Sequence, residues 1–506
     1  MLTLTTLQCD ETKPTCNQCA KSRRQCPGYK DEFDLVFRNE TQATERRALK
    51  ANRKAIAQRL KLEPDSDEDQ KESLSPVAIE YLRSQAESGI MPALGIATEQ
   101  HAACHFVSNF ILIPRVGDAR GFNDHLIPLI KSESSNSHLM HAFNACALAS
   151  MANRLTSDSI DLRERALSEY TKALATTHAA IKDAEMSKSD STLAAVLLLG
   201  LFENMTAKQL GVFAWGSHIE GAIQLVKARG RKQLRTKLGL HLFVAVRTQM
   251  IIHTLSSAKA PIMGVDWWLA DAVKDEAAAQ SQRLNIKASE LRAEVTRLMS
   301  TVARTPENID FMLDIIRRAQ TVDQECVNWA KNLPEGWQFK TITWEDNVPG
   351  GDYSKAEVYP GRVDVYPDFY MASVWNMTRV CRLVLASVIV RCAAWVCSPV
   401  DYRTTPEYAT AARTCVDTIT DIIASVPYHL GWHLKRQHLL QDQLTGFACG
   451  DDDSLKGLAG YFLTWPLTNV NSQDFTTDSQ RAWVRGRLNY IATEVGVKYA
   501  HILAQV

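Results

Sequence analysis

In the stretch GVFAWGSHIEGAIQLVKARG, residues Trp215, Ile219, Ala222, Val226 and Arg229 recur at steps of four, three, four and three, which puts them on one face of an α-helix. The same spacing returns in HLMHAFNACALASMANRL, through Leu139, Phe143, Cys146 or Ala147, and Met151, and again between residues 162 and 174. The run DSTLAAVLLLGLFEN predicts an almost fully buried helix capped by Asp190, and Gly230 after Lys227 and Arg229 predicts a helix stop. There is no sustained β alternation and no clean internal repeat. Residues 340–366, which include WEDNVPGGDYSKAEVYPGR, read as a loop excursion from the helical body. Only 23 Gly and 17 Pro in 506 residues favour long helices over a turn-dense β fold. The expected fold class is all-α, with one large helical domain over residues 76–506.

The amino-terminal end is built differently. Four of the 12 cysteines, Cys9, Cys16, Cys19 and Cys26, fall within CDETKPTCNQCAKSRRQCPGY at the spacing C-x6-C-x2-C-x6-C. A C-x2-C pair can grip one zinc ion from a tight turn, and Zn²⁺ takes four such ligands in a tetrahedron. Lys21, Arg23 and Arg24 beside them favour thiolates and lie close to any bound phosphate. The stretch ATERRALKANRKAIAQRLKL then sets Arg46, Arg47, Lys50, Arg53, Lys54, Arg59 and Lys61 among good helix formers, followed by the acidic EPDSDEDQKES. Residues 1–61 hold 13 basic and 7 acidic side chains, a net of +6, although the whole chain balances 57 against 57. A basic arm beside clustered cysteines is a nucleic-acid signal. The expected segments are a zinc head at 1–30, a basic linker helix at 31–62 and an acidic flexible linker at 63–75.

The remaining eight cysteines are scattered singly through mostly apolar sequence, and Cys381, Cys392 and Cys397 read as small buried hydrophobes. The start MLTLTTLQCDE has no basic n-region and no long apolar stretch. The apolar runs 193–202 and 380–397 do not make a membrane span: the first is too short, and Arg382 and Arg391 interrupt the second. The chain reads as soluble, intracellular and thiol-reduced.

The stretch CDETKPTCNQCAKSRRQCPGY resembles the second part of the Zn(II)2Cys6 binuclear cluster of fungal transcription factors. Cys9, Cys16, Cys19 and Cys26 match the third to sixth cysteines of that pattern, with Asp10, Glu11, Lys13 and Pro14 in the connecting loop. The first two cysteines and the basic helix after them have no counterpart; MLTLTTLQ stands in their place. WGSHIEGAIQLVKARG resembles a motif of the fungal-specific transcription factor domain, carried here by Trp215, His218, Gly221, Ala222, Leu225, Arg229 and Gly230. AGYFLTWPL and FYMASVWNMTRVCRLVL also look like segments of that family.

The resemblance implies Zn²⁺ as cofactor and a nuclear regulator of RNA polymerase II transcription, of a metabolic or biosynthetic pathway. Its partners would be double-stranded DNA, with CGG-type triplets if the cluster is complete, and a second copy of the chain; no membrane is implied. The missing cysteines have two explanations, a misassigned start or a shortened factor. The alternative function is a helical regulatory or interaction protein without its own sequence-specific DNA binding.

Physically, Trp215 and Ile219 read as core anchors, and Gly221 as a place where a neighbouring helix comes close. His218 reads as a hydrogen-bonded structural histidine rather than a ligand sensor. The trio His101, Cys104 and His105 reads as part of an amphipathic core helix rather than a metal site, and the 451–453 aspartates as a solvated loop. No G-x-S-x-G, H-E-x-x-H, Walker or G-x-G-x-x-G pattern is present, so the chain is not expected to be an enzyme.

Overall fold

The computed structural model describes residues 97–114, 121–154, 159–206, 211–269, 277–439, 445–450 and 455–505. The expectations placed on residues 1–75, and the 451–453 aspartates, lie outside the described residues.

The body is all-α. Its first half runs α1 (Thr98–Phe110), β1 (Leu112–Pro114), α2 (Leu126–Ser132), α3 (His138–Arg154), α4 (Ser159–Lys182), α5 (Asp190–Thr206), α6 (Gly211–Arg229), α7 (Lys237–Ser257) and the short α8 (Val265–Trp268). The second half runs α9 (Ala277–Thr301), α10 (Pro306–Asn332), β2 (Lys340–Glu345), β3 (Gly361–Val365), α11 (Phe369–Cys397) and α12 (Pro406–His429). It closes with β4 (Thr445–Phe447), α13 (Gly457–Asn471), α14 (Asp478–Tyr490) and α15 (Tyr499–Leu503).

Local chemistry fixes several starts. Thr236, Thr305, Thr405 and Thr477 each accept a backbone N–H through the side chain, with Pro306 and Pro406 in the first turns that follow two of them. Thr477 and Gln480 complete a capping box. Asp368, fully buried, accepts from Tyr370 N and Met371 N and opens α11. At α5 the cap is Ser189, whose Oγ accepts from Thr192 N at 3.1 Å. Asp190, expected as the cap, is the first helical residue and instead pairs with Arg229.

Two hubs organise the packing. α3 is buried on almost every side, against α1, α4 and α5; α11 packs against α9, α10, α12 and α13. By length and composition α7 and α11 could each cross a membrane, yet most of each is packed inside the protein. Arg382, one of the three arginines on α11, donates from Nε and Nη2 to the two carboxylate oxygens of Asp323. The eight described cysteines are free thiols, with Cys381 and Cys392 fully buried and Cys397 half-buried.

The 340–366 stretch is not only loop. β2 and β3 pair antiparallel, from Lys340 opposite Val365 to Glu345 opposite Gly361, with a register break between Thr341 and Thr343. The hairpin escapes a pattern reading because β2 has no buried face to impose alternation; none of its six residues is fully buried. β3 anchors it, burying Val363 and Val365 against the body, while Arg362 bridges Asp364 and Asp421 of α12. A second small pairing, β1 with β4, joins Leu112 to Phe447.

Candidate functional site

A cavity of about 1490 Å³ opens among α5, α6, α7, α9, α11 and α13. Its walls follow from helix periodicity. Ala278, Ser281, Gln282, Asn285 and Arg292 lie along one face of α9, and Tyr461, Trp465 and Thr468 along one face of α13. α5 supplies mostly aliphatic side chains, and α7 mixes aliphatic ones such as Leu240, Val244 and Ile252 with polar ones such as His241, Thr248 and Gln249. Ligand sites in proteins have this make-up, a largely apolar wall with a few placed polar groups.

Most charged groups in the wall are matched. The Asp124 carboxylate stands 3.5 Å from His241 Nδ1. Burial pushes Asp124 upward, but the hydrogen bond and charge of His241, with the charge of His125, hold it below the usual carboxylate range. His125 is buried and stays neutral down to about pH 4, chiefly because burial penalises the imidazolium. Glu220 accepts from Lys259 Nζ at 2.7 Å and lies 3.2 Å from His253 Nε2. Gln249 Nε2 donates to Tyr461 Oη at 3.0 Å, and burial raises that phenol to about 12.

Arg292 differs. It is half-buried in the wall, has no hydrogen-bond or ion-pair partner among the described residues, and senses Arg391, a like charge, as its charged neighbour. Burial lowers its pKa, with Arg391 adding to the effect.

The residues singled out on α6 divide. Trp215 is half-buried: it packs against the hydrophobic core and also forms part of the cavity wall, edge-on against His253 at 5.8 Å. Ile219, Ala222, Leu225 and Val226 are buried, as their spacing predicts. His218 sits 3.3 Å from Tyr170 Oη and is held neutral down to about pH 4 by burial, in keeping with a structural histidine. Arg229 pairs with Asp190 and donates Nη1 to Ser189 O at 3.1 Å, tying the end of α6 to the start of α5. Gly230 stops the helix with φ +61°.

Gly221 departs from expectation. It is exposed, and a Cβ there would meet nothing within 4 Å, so no helix approaches it. The close approach occurs at Gly486 on α14, where a Cβ would lie 1.9 Å from Ser354 O. Gly221→Ala is therefore expected to stabilise the fold by about 0.5–1 kcal/mol by relieving a mid-helix glycine. Gly486→Ala is expected to destabilise it by about 3 kcal/mol through overpacking against backbone. Urea midpoints of the two variants check the contrast.

His101, Cys104 and His105 lie on α1, where Phe106 and Phe110 face the core and His105 Nδ1 is 3.0 Å from Ser150 Oγ. No group of three His, Cys, Asp or Glu among the described residues could hold a metal ion. Gln282, Asn285 and Arg292 escaped the sequence reading. Their signal was present: polar residues on one face of a helix whose other face carries Leu284, Leu291, Val295 and Leu298.

Residues 104–335, from α1 to the end of α10, match the fungal specific transcription factor domain. Over 337 residues, 66% of this chain and 74% of the relative, the sequence is 21% identical to transcription factor dbaG of Emericella nidulans. No solved structure gives a significant match. Together these similarities support a transcription regulator.

Proposed function

We propose that this chain is a zinc-cluster transcription factor acting in the nucleus on RNA polymerase II transcription of a metabolic or biosynthetic pathway. The observation that carries the reading is the match of residues 104–335 to the fungal specific transcription factor domain. The Cys9, Cys16, Cys19 and Cys26 donor set supports it, because four thiolates suit tetrahedral Zn²⁺. Lys21, Arg23, Arg24, Arg46, Arg47, Lys50, Arg53 and Lys54 neutralise DNA phosphates in this reading. The helical body is the regulatory part rather than a catalyst.

Two measurements test the reading. Fused to a heterologous DNA-binding domain, the full chain is expected to change expression of a matching reporter; no change while the fusion reaches the nucleus would overturn it. The polypeptide as given is expected to bind duplex DNA mainly through phosphates, so affinity falls steeply with salt and barely separates CGG repeats from scrambled duplex. Tight CGG-selective binding, or two zinc ions per chain, would mean that the four cysteines present assemble a complete reading head.

A second copy of the chain is the partner that α4 supports. Ile160, Leu167, Leu174 and Ile181 recur every seven residues along its outer face and are 73%, 40%, 38% and 42% exposed. The order is a palindrome, so two antiparallel copies of α4 set Ile160 on the partner's Ile181 and Leu167 on the partner's Leu174. Sedimentation velocity at tens of micromolar is expected to show a dimer that Leu167→Glu with Leu174→Glu converts to monomer. A monomeric parent chain would sink the assignment.

A further inference from the structure

The cavity has two properties that a packing defect does not. Protein interiors are filled so closely that voids larger than a water molecule are few, whereas this one, at about 1490 Å³, exceeds the size of most drug-sized ligand sites. Residues of its wall also hold buried polar atoms that have no partner among the described residues. Asn285 is only 1% exposed; its Nδ2 donates to Ser281 O at 2.9 Å, while its Oδ1 has no hydrogen-bond partner. Gln282 repeats the pattern, with Nε2 on Thr248 Oγ1 at 2.9 Å and Oε1 unpartnered. On α13, Trp465 Nε1 is buried without an acceptor. Such groups are costly to bury unless something meets them.

The charge pattern selects the ligand. The acidic groups of the wall are already matched, Asp124 with His241 and Glu220 with Lys259 and His253. Lys237 stands at the exposed rim. Arg292 remains: a cation in the wall with Nε buried and unpartnered, and with Arg391 as its charged neighbour. A planar guanidinium in that state is a fork for a carboxylate. The cavity wall also carries broad rings, including Phe122, Trp215, Tyr370, Phe462 and Trp465, which offer flat apolar surface.

We propose that this cavity binds a small aromatic carboxylic acid, with the carboxylate on Arg292 and the ring system among the aromatic side chains. The site joins α5, α6 and α7, inside the region matched at 104–335, to α11 and α13 beyond it. Binding of this kind is independent of whether the chain regulates transcription.

The test uses the purified full-length chain and two fluorescent probes of equal shape, pyrene-1-carboxylic acid and the neutral 1-pyrenemethanol, titrated by fluorescence anisotropy. The acid is expected to bind at least tenfold more tightly than the alcohol. Arg292→Gln is expected to erase that difference while leaving the alcohol's affinity in place, and Lys237→Gln is expected to leave both unchanged. Arg292→Lys, which keeps the charge, guards against a folding defect and should retain part of the preference for the acid. Equal affinity of the parent chain for both probes would overturn the assignment of the anion to Arg292. Failure of both probes to bind below millimolar concentration would overturn the proposal as a whole, and loss of binding in Lys237→Gln as large as in Arg292→Gln would place the anion at the rim instead.

Discussion

The purified protein is expected to lose stability steeply as pH falls from 6.5 to 5. His125, His429 and His433 are almost fully buried, and burial lowers them to about 4, 3 and 4 respectively. Their surroundings suit the neutral ring: Asn376 Nδ2 is placed to donate to His429 Nε2 at 3.3 Å, and Arg379 adds a repelling charge. In the unfolded chain the same imidazoles take up protons near pH 6.5. The unfolded state therefore binds more protons throughout this window, and folding free energy declines as the solution is acidified. Stability from these groups is complete above pH 6.5. At pH 5 each costs at most about 2 kcal/mol, from 1.36 kcal/mol per pKa unit. Urea midpoints at pH 7 and pH 5 check this. An unchanged midpoint would mean that the folded chain accommodates the imidazolium.

Arg362→Met is expected to destabilise the fold by about 3–5 kcal/mol, the usual cost of stranding a buried charge. Asp364 has no solvent exposure and accepts from Arg362 Nε at 3.0 Å and from Thr341 Oγ1 at 2.7 Å. Arg362 also reaches Asp421, so the change unpins the β2–β3 hairpin from α12 as well. Adding Asp364→Asn should recover part of the loss, since a neutral amide in the same place strands no charge. Equal instability of the single and double variants, measured by chemical denaturation, would show that lost packing and not the stranded carboxylate is responsible.

The motif on α6 shows where local pattern is enough. Steps of three and four place Ile219, Ala222 and Val226 on the buried side whatever the helix packs against, because helix geometry is a property of neighbours in sequence. Cys381 and Cys392 were legible for the same reason, as small side chains in an apolar helix. Gly221 was misjudged because a missing Cβ has two uses, close approach and simple tolerance, and only a neighbour's position tells them apart. That neighbour is at Gly486 instead, supplied by Ser354 from 132 positions earlier.

What the sequence by itself determined was therefore the all-α class, the helix faces, the stop at Gly230 and the buried cysteines, all set by contacts within one or two turns. What only the tertiary structure decided was which polar groups are left over. Asp190 finds Arg229, Arg382 finds Asp323, and Arg362 finds Asp364 and Asp421, whereas Arg292 finds no partner among the described residues and Trp215 borders a cavity as well as the core. Periodicity predicts that a residue faces inward, but whether a charge waits there depends on side chains brought together from distant parts of the chain. The site belongs to that second kind of information, because a cavity is defined by what the surrounding helices fail to fill.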